Sequence, residues 1–74
     1  MRVQDYIEIN PDIRFGKPVI KNTRIAVNDI LAWLASGMTK EEIVADYPSL
    51  NFDMINAALS FSAQRENYIK IVVA

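Results

Sequence analysis

Apolar residues recur at spacings of three and four through the middle of the chain and at spacings of two toward either end. In the middle, Val27, Ile30, Leu31 and Leu34 share one stripe of a helix that begins near Val27 or Asn28. Gly37 is placed to end it in the left-handed conformation. Thr39 followed three residues later by Glu42 is a capping box, in which each side chain satisfies the other's free N–H. A second helix therefore starts at residue 40, buries Ile43, Val44 and Tyr47, and stops at Pro48. Asn51 caps a third, from Phe52 to about Asn67, with Phe52, Ile55, Ala58 and Leu59 on its buried stripe.

The period-two segments read as strands. Ile7 and Ile9 fall on one face of Tyr6 to Ile9, which Asn10 and Pro11 terminate. At the other end Ile69, Ile71 and Val73 alternate with Tyr68, Lys70 and Val72, predicting a C-terminal strand or tail over 68 to 74. Between the first strand and the first helix, DIRFGKPVIKNTRIA holds the breakers Gly16 and Pro18 and the apolar anchors Val19, Ile20 and Ile25. This predicts turns joined by very short strands, with a tight turn at Asn22 and Thr23 because asparagine tolerates positive φ.

These elements describe a mainly α protein. Residues 27 to 67 would form a three-helix, helix-turn-helix core of homeodomain-like or winged-helix-like type, preceded by short strands over residues 1 to 26. The 74 residues form a single expected domain. A chain this short buries only about 60% of its unfolded surface, so pairing of two copies through the N-terminal strand would add core.

Composition narrows the function classes. Histidine and cysteine are absent, which removes the usual neutral-pH general base, the thiolate nucleophile and the commonest transition-metal ligands. The expectation is a non-enzymatic protein with no cofactor and no metal, working by binding other macromolecules. No apolar run approaches the roughly 18 residues a membrane helix needs, and MRVQDYIEIN does not read as a secretory signal, so a cytoplasmic location is expected. Glu41, Glu42 and Asp46 are explained by the capping box and the helix dipole. Trp33 and Tyr47 sit in apolar helical surroundings and read as core or interface aromatics.

The net charge of −1 means that any grip on nucleic acid must come from local placement. The outward face of the third helix would present Asp53, Asn56, Ser60, Gln64 and Asn67. Asn and Gln suit adenine edges, yet none of the five is cationic. The cations gather instead at Arg14, Lys17, Lys21 and Arg24, opposed within that window only by Asp12. Two readings stand for this cluster. It contacts phosphates, doubled in a dimer, or Arg24 and Lys17 pair with Glu8 or Asp12 and hold the N-terminal segment.

The stretches INPDIRFGKPVIKNTRI and LASGMTKEEIVADYPSLNFDMINAAL resemble a family of short prokaryotic proteins known as domain of unknown function 433. The signature is Gly16, Lys17, Pro18, Ile20, Thr23, Arg24 and Ile25, and the resemblance runs over roughly residues 7 to 63. The chain departs from the family at Asn22, where members usually carry glycine; asparagine keeps the positive φ available. The resemblance implies an antitoxin of a type II toxin–antitoxin pair, neutralising a PIN-like ribonuclease and repressing its own operon by binding operator DNA. A stand-alone DNA-binding regulator and a protein-interaction module without DNA binding are the alternatives. On the antitoxin reading, Arg65, Tyr68, Ile69, Lys70, Ile71 and Val73 would contact the toxin, with Arg65 or Lys70 supplying positive charge to an acidic nuclease site.

Overall fold

The computed structural model describes the backbone of residues 2–73 and the side chains of residues 2–65. Three helices are set by local signals. The first, α1 (Val27–Ala35), gives way at Ser36 to Gly37, whose φ of +102° is the left-handed stop expected from sequence. The second, α2 (Lys40–Asp46), is held at its start by both arms of the capping box. Glu42 N–H donates to Thr39 Oγ1 at 3.1 Å, and Thr39 N–H donates to Glu42 Oε1 at 3.0 Å. These bonds to Thr39 hold the Glu42 carboxyl below its ordinary value. Tyr47, preceding Pro48, leaves the helical region with φ −126° and ψ 81°. The third, α3 (Phe52–Val73), begins under the cap expected of Asn51, whose Oδ1 accepts from Met54 N–H at 2.9 Å.

Ahead of the helices lie a 3-10 turn (Val3–Asp5), β1 (Ile7–Glu8), a second short turn (Arg14–Gly16) and β2 (Val19–Ile20). The two strands pair antiparallel, with Ile7 opposite Ile20 and Glu8 opposite Val19. Residues 21–24 reverse the chain through Asn22, at φ +65°, so that Ile20 N–H donates to Ile25 O and Val19 bridges to Ala26. Thr23 locks this turn: its hydroxyl donates to Ile20 O at 2.8 Å and accepts from Ile25 N–H at 3.0 Å.

The core lies where this small sheet meets the helices. Ile20, Ile30, Ile43 and Ile55 are fully buried, one from β2 and one from each helix, joined by Val27, Leu50, Ala57 and Ala58. Each buried isoleucine stabilises the fold by roughly 1.5–3 kcal/mol. Trp33 of α1 stacks on Tyr47 just past α2, with ring centroids 4.1 Å apart and planes 11° from parallel, closing one side of this core.

Four expectations need correction. The strand expected at Tyr68 to Val73 is absent, because α3 continues through Val73. No glycine or proline occurs between Phe52 and Val73 to stop the helix, and a helix satisfies its own backbone where a strand would need a partner. The N-terminal strand is shorter than the alternation suggests and pairs within the chain, to β2. Ile9, past its end, is 62% exposed. Phe52, at the first position of α3, is 48% exposed, so the buried stripe of that helix starts at Ile55.

Candidate functional site

Between β1 and β2 the backbone enters conformations that L-residues avoid. Arg14, Phe15 and Gly16 have φ of +51°, +59° and +80° in succession, a left-handed turn in which only glycine is at ease. The left-handed conformation costs a non-glycine residue roughly 1–2 kcal/mol. It persists because neighbouring groups over-determine it. Asn10 Oδ1 accepts from Asp12 N–H at 2.9 Å, and Gly16 N–H and Lys17 N–H donate to Ile13 O and Arg14 O. Arg14 Nη1 reaches across to donate to Arg24 O at 2.8 Å and to Asp29 Oδ2 at 3.0 Å. The turn is thus fastened to the β2 hairpin and to the first turn of α1.

Asp29 is the hub of this fastening. Ala26 has no side-chain acceptor with which to cap α1, so Asp29 reaches back and Oδ2 accepts from Ala26 N–H at 3.0 Å while pairing with Arg14. Burial pushes its carboxyl up; the Ala26 N–H, the Arg14 hydrogen bond and charge, and the charge of Lys17 more than offset this, and the net shift is downward.

The product of the turn is a displayed aromatic ring. Phe15 is 97% exposed, so its strained backbone is not repaid by burial. It stands beside a cleft of about 550 Å³. One wall is the segment Phe15 to Pro18, another is Val27, Asn28 and Leu31 of α1, and the third is Phe61, Ser62 and Arg65 of α3. The Arg65 guanidinium carbon lies 5.6 Å from the Phe61 ring centroid, within cation–π range. Among the described residues, no carboxylate lines this cleft, although acidic residues outnumber basic ones in the chain by nine to eight.

The sequence-derived candidates are dispersed by the fold. Arg14 serves the turn, through Asp29 and Arg24 O; the ion pair that forms is this one, and the pairs weighed for Arg24 and Lys17 with Glu8 or Asp12 do not occur. Lys21 and Arg24 are exposed on the β2 hairpin turn, and Lys17 is exposed on the cleft. On α3, Asn56 Oδ1 accepts from Lys40 Nζ at 2.8 Å, a tie to α2, and Ser60 is half-buried. Gln64 is exposed. Arg65 shares the cleft with Lys17, which joins two residues that the sequence suggests for different partners. Asn67, Tyr68, Ile69, Lys70, Ile71 and Val73 have side chains outside the described residues. Phe15, Asp29 and Phe61 are the contributors that pattern reading misses. The available signal was an aromatic ring set among turn formers, Phe15 before Gly16 and Pro18, with no periodic apolar partner.

Among the described residues, no three carboxylates gather closely enough to hold a metal ion, and no helix is long and apolar enough to cross a membrane.

Comparison with known proteins places this geometry. The chain is 34% identical over 55 residues to the uncharacterized protein y4eO of Sinorhizobium fredii (strain NBRC 101917 / NGR234), covering 74% of this chain but only 25% of that protein. It therefore spans about a quarter of that relative. The crystal structure of a DUF433 member protein from Anabaena variabilis ATCC 29413 superposes with a TM-score of 0.81 at 31% identity, over 96% of this chain and 70% of that one. The model of the family described as "Protein of unknown function (DUF433)" matches residues 7–62, which takes in the left-handed turn, the hairpin, all of α1 and α2 and the first half of α3; the chain belongs to the DUF433 family.

Proposed function

We propose that this chain is the antitoxin of a type II pair, which docks on a PIN-like ribonuclease and silences it by covering the nuclease surface. The carrying observation is Phe15, an exposed aromatic held on a strained turn at the rim of a cleft that bears Lys17 and Arg65 and, among the described residues, no acid. An exposed aromatic anchor beside arginine is the composition that concentrates binding energy at protein interfaces. A cationic rim also complements the acidic surroundings of a metal-dependent nuclease site. Phe15 takes a strained conformation while its ring is 97% exposed, the circumstance in which strain points to a partner.

Within this reading, α2, the turn at residues 47–51 and α3 act as a helix-turn-helix unit, and the protein represses its own operon. Support for the DNA half comes from Lys21 and Arg24, exposed together on the hairpin turn. A homodimer would present two such turns to the phosphate backbone.

The reading is tested by expressing the neighbouring reading frame of the chain's own genome with and without this chain. The neighbour alone should arrest growth, and co-expression should relieve the arrest and yield one co-eluting complex. Separate elution without relief sinks the antitoxin assignment. For the DNA half, a gel shift on the chain's own promoter should weaken by orders of magnitude between about 50 and 200 mM salt. No shift at the low end removes operator binding and leaves the protein-docking role.

A further inference from the structure

The cleft also specifies the chemistry of what fills it. We propose that it binds an extended acidic peptide segment of a partner protein, whose carboxylates engage Lys17 and Arg65 and whose large apolar side chain packs on Leu31 and Phe61 under the ring of Phe15. This deepens the proposed function and rests on reading the cleft as a protein-docking site.

Three observations converge on an anionic, amphipathic occupant. Among the described residues the lining contains two cations and no anion, in a chain whose net charge is −1, so the local sign there is opposite to that of the molecule. The cations come from defined places: Arg65 lies over the Phe61 ring, and the backbone of Lys17 follows a turn fixed by Arg14 and Asp29. The remaining lining is largely apolar, with Pro18, Val27, Leu31 and Phe61 as its body. This suits an aliphatic or aromatic side chain flanked by carboxylates.

The same features disfavour a nucleic-acid strand. Tracking a phosphate backbone takes a row of cations, whereas Lys21 and Arg24 lie on the hairpin turn and do not line the cleft.

The test is selection of a random peptide library against the full chain, followed by titration of the enriched peptides. The enriched pool should carry Asp or Glu within a few positions of Phe, Leu or Trp. Lys17→Glu combined with Arg65→Glu should weaken those peptides by about tenfold or more. The same double variant, reselected, should turn the pool toward Lys and Arg. Lys17→Arg with Arg65→Lys should retain binding within a few fold. Thermal unfolding of each variant separates a lost site from a lost fold, since both side chains are solvent-exposed.

The inference is overturned by a pool without an acidic consensus, or by peptides indifferent to charge reversal. It is equally overturned if an oligothymidylate displaces the peptides, which makes the cleft a nucleic-acid site, or if sedimentation shows a second copy of the chain filling it. The two proposals fail separately. A nuclease that co-elutes while the library gives no acidic consensus removes only the cleft chemistry; acidic peptides that bind while no nuclease partner exists remove the antitoxin reading and leave the cleft.

Discussion

From Thr39 to Leu59 almost every local preference agrees with the final structure, whereas from Ile13 to Gly16 the backbone goes where local preference forbids. In the first region Thr39 and Asn51 cap the helices they precede, Pro48 stops α2, and Ile43 and Ile55 are buried on the stripes their spacing assigns. In the second, two non-glycine residues, Arg14 and Phe15, take positive φ, and the large ring of Phe15 faces solvent. The first region is a scaffold that a designer would write; the second is strained and held by residues from other elements. Consistency across levels marks what builds the fold, and its local failure marks what the fold is for.

The largest effect should come from breaking the scaffold. Ile55→Ala removes a fully buried side chain, and destabilisation of about 2–5 kcal/mol is expected by urea denaturation. A domain this small holds little reserve, so partner binding should vanish with the fold. If Ile55→Ala instead stayed folded and lost binding, the separation of scaffold from site would be wrong. Next comes the turn itself. Gly16→Ala has space, since an added Cβ would meet only Pro11 Cα at 3.8 Å, but it sits at φ +80°. A loss of roughly 1–2 kcal/mol is expected from conformation alone.

The comparison also explains what the sequence discloses. Caps and stripes are written within a few residues: Thr39 and Glu42 are three apart, and Val27, Ile30 and Leu34 span two turns, so these elements and their boundaries were legible. Asn22 was legible as a positive-φ residue for the same reason. The fastening of Arg14 to Asp29 joins a loop to a helix, and neither side chain's neighbours in sequence reveal it. Phe15 and Phe61 meet at one cleft only because α3 packs beside α1, a relation of elements that periodicity does not encode. The alternation of Ile69, Ile71 and Val73 misled because six residues satisfy either period, while the lack of any breaker from Phe52 onward favours helix.

Smaller effects refine the contrast between a locally coded cap and a cross-element fastening. Thr39→Ala removes the acceptor for Glu42 N–H and should cost about 1 kcal/mol, with no change in peptide or nuclease binding measured below the unfolding temperature. The Arg14–Asp29 pair is about one-third exposed at both ends, so its worth is under about 1 kcal/mol and shows best as pH dependence. The Asp29 carboxyl is held below its ordinary 3.8 in the folded state. Stability linked to its ionised form is therefore present above 3.8 and is lost as pH falls through the lower folded value. Asp29→Asn should flatten this part of the acid unfolding curve. Arg14→Ala should move the loss to higher pH, because the carboxyl then returns toward its ordinary value.

The smallest effect on stability should be the most informative. Phe15→Gly deletes a ring that is 97% exposed, so no core contact disappears. Glycine relieves the left-handed strain at φ +59°, worth roughly 1–2 kcal/mol. Against this, glycine raises the unfolded chain's conformational freedom by roughly 0.5–1 kcal/mol. The two terms oppose, the first being equal or larger, leaving an unfolding midpoint equal to or above that of the parent. Binding of the partner should nevertheless fall by about tenfold or more, as for an aromatic anchor at an interface. A substitution that keeps or raises stability while removing binding is the signature of a residue retained for function against its own structural interest. If Phe15→Gly lowered stability by more than about 1 kcal/mol, the ring would be holding the fold together, and the contrast between the left-handed turn and the scaffold would fail at its central residue.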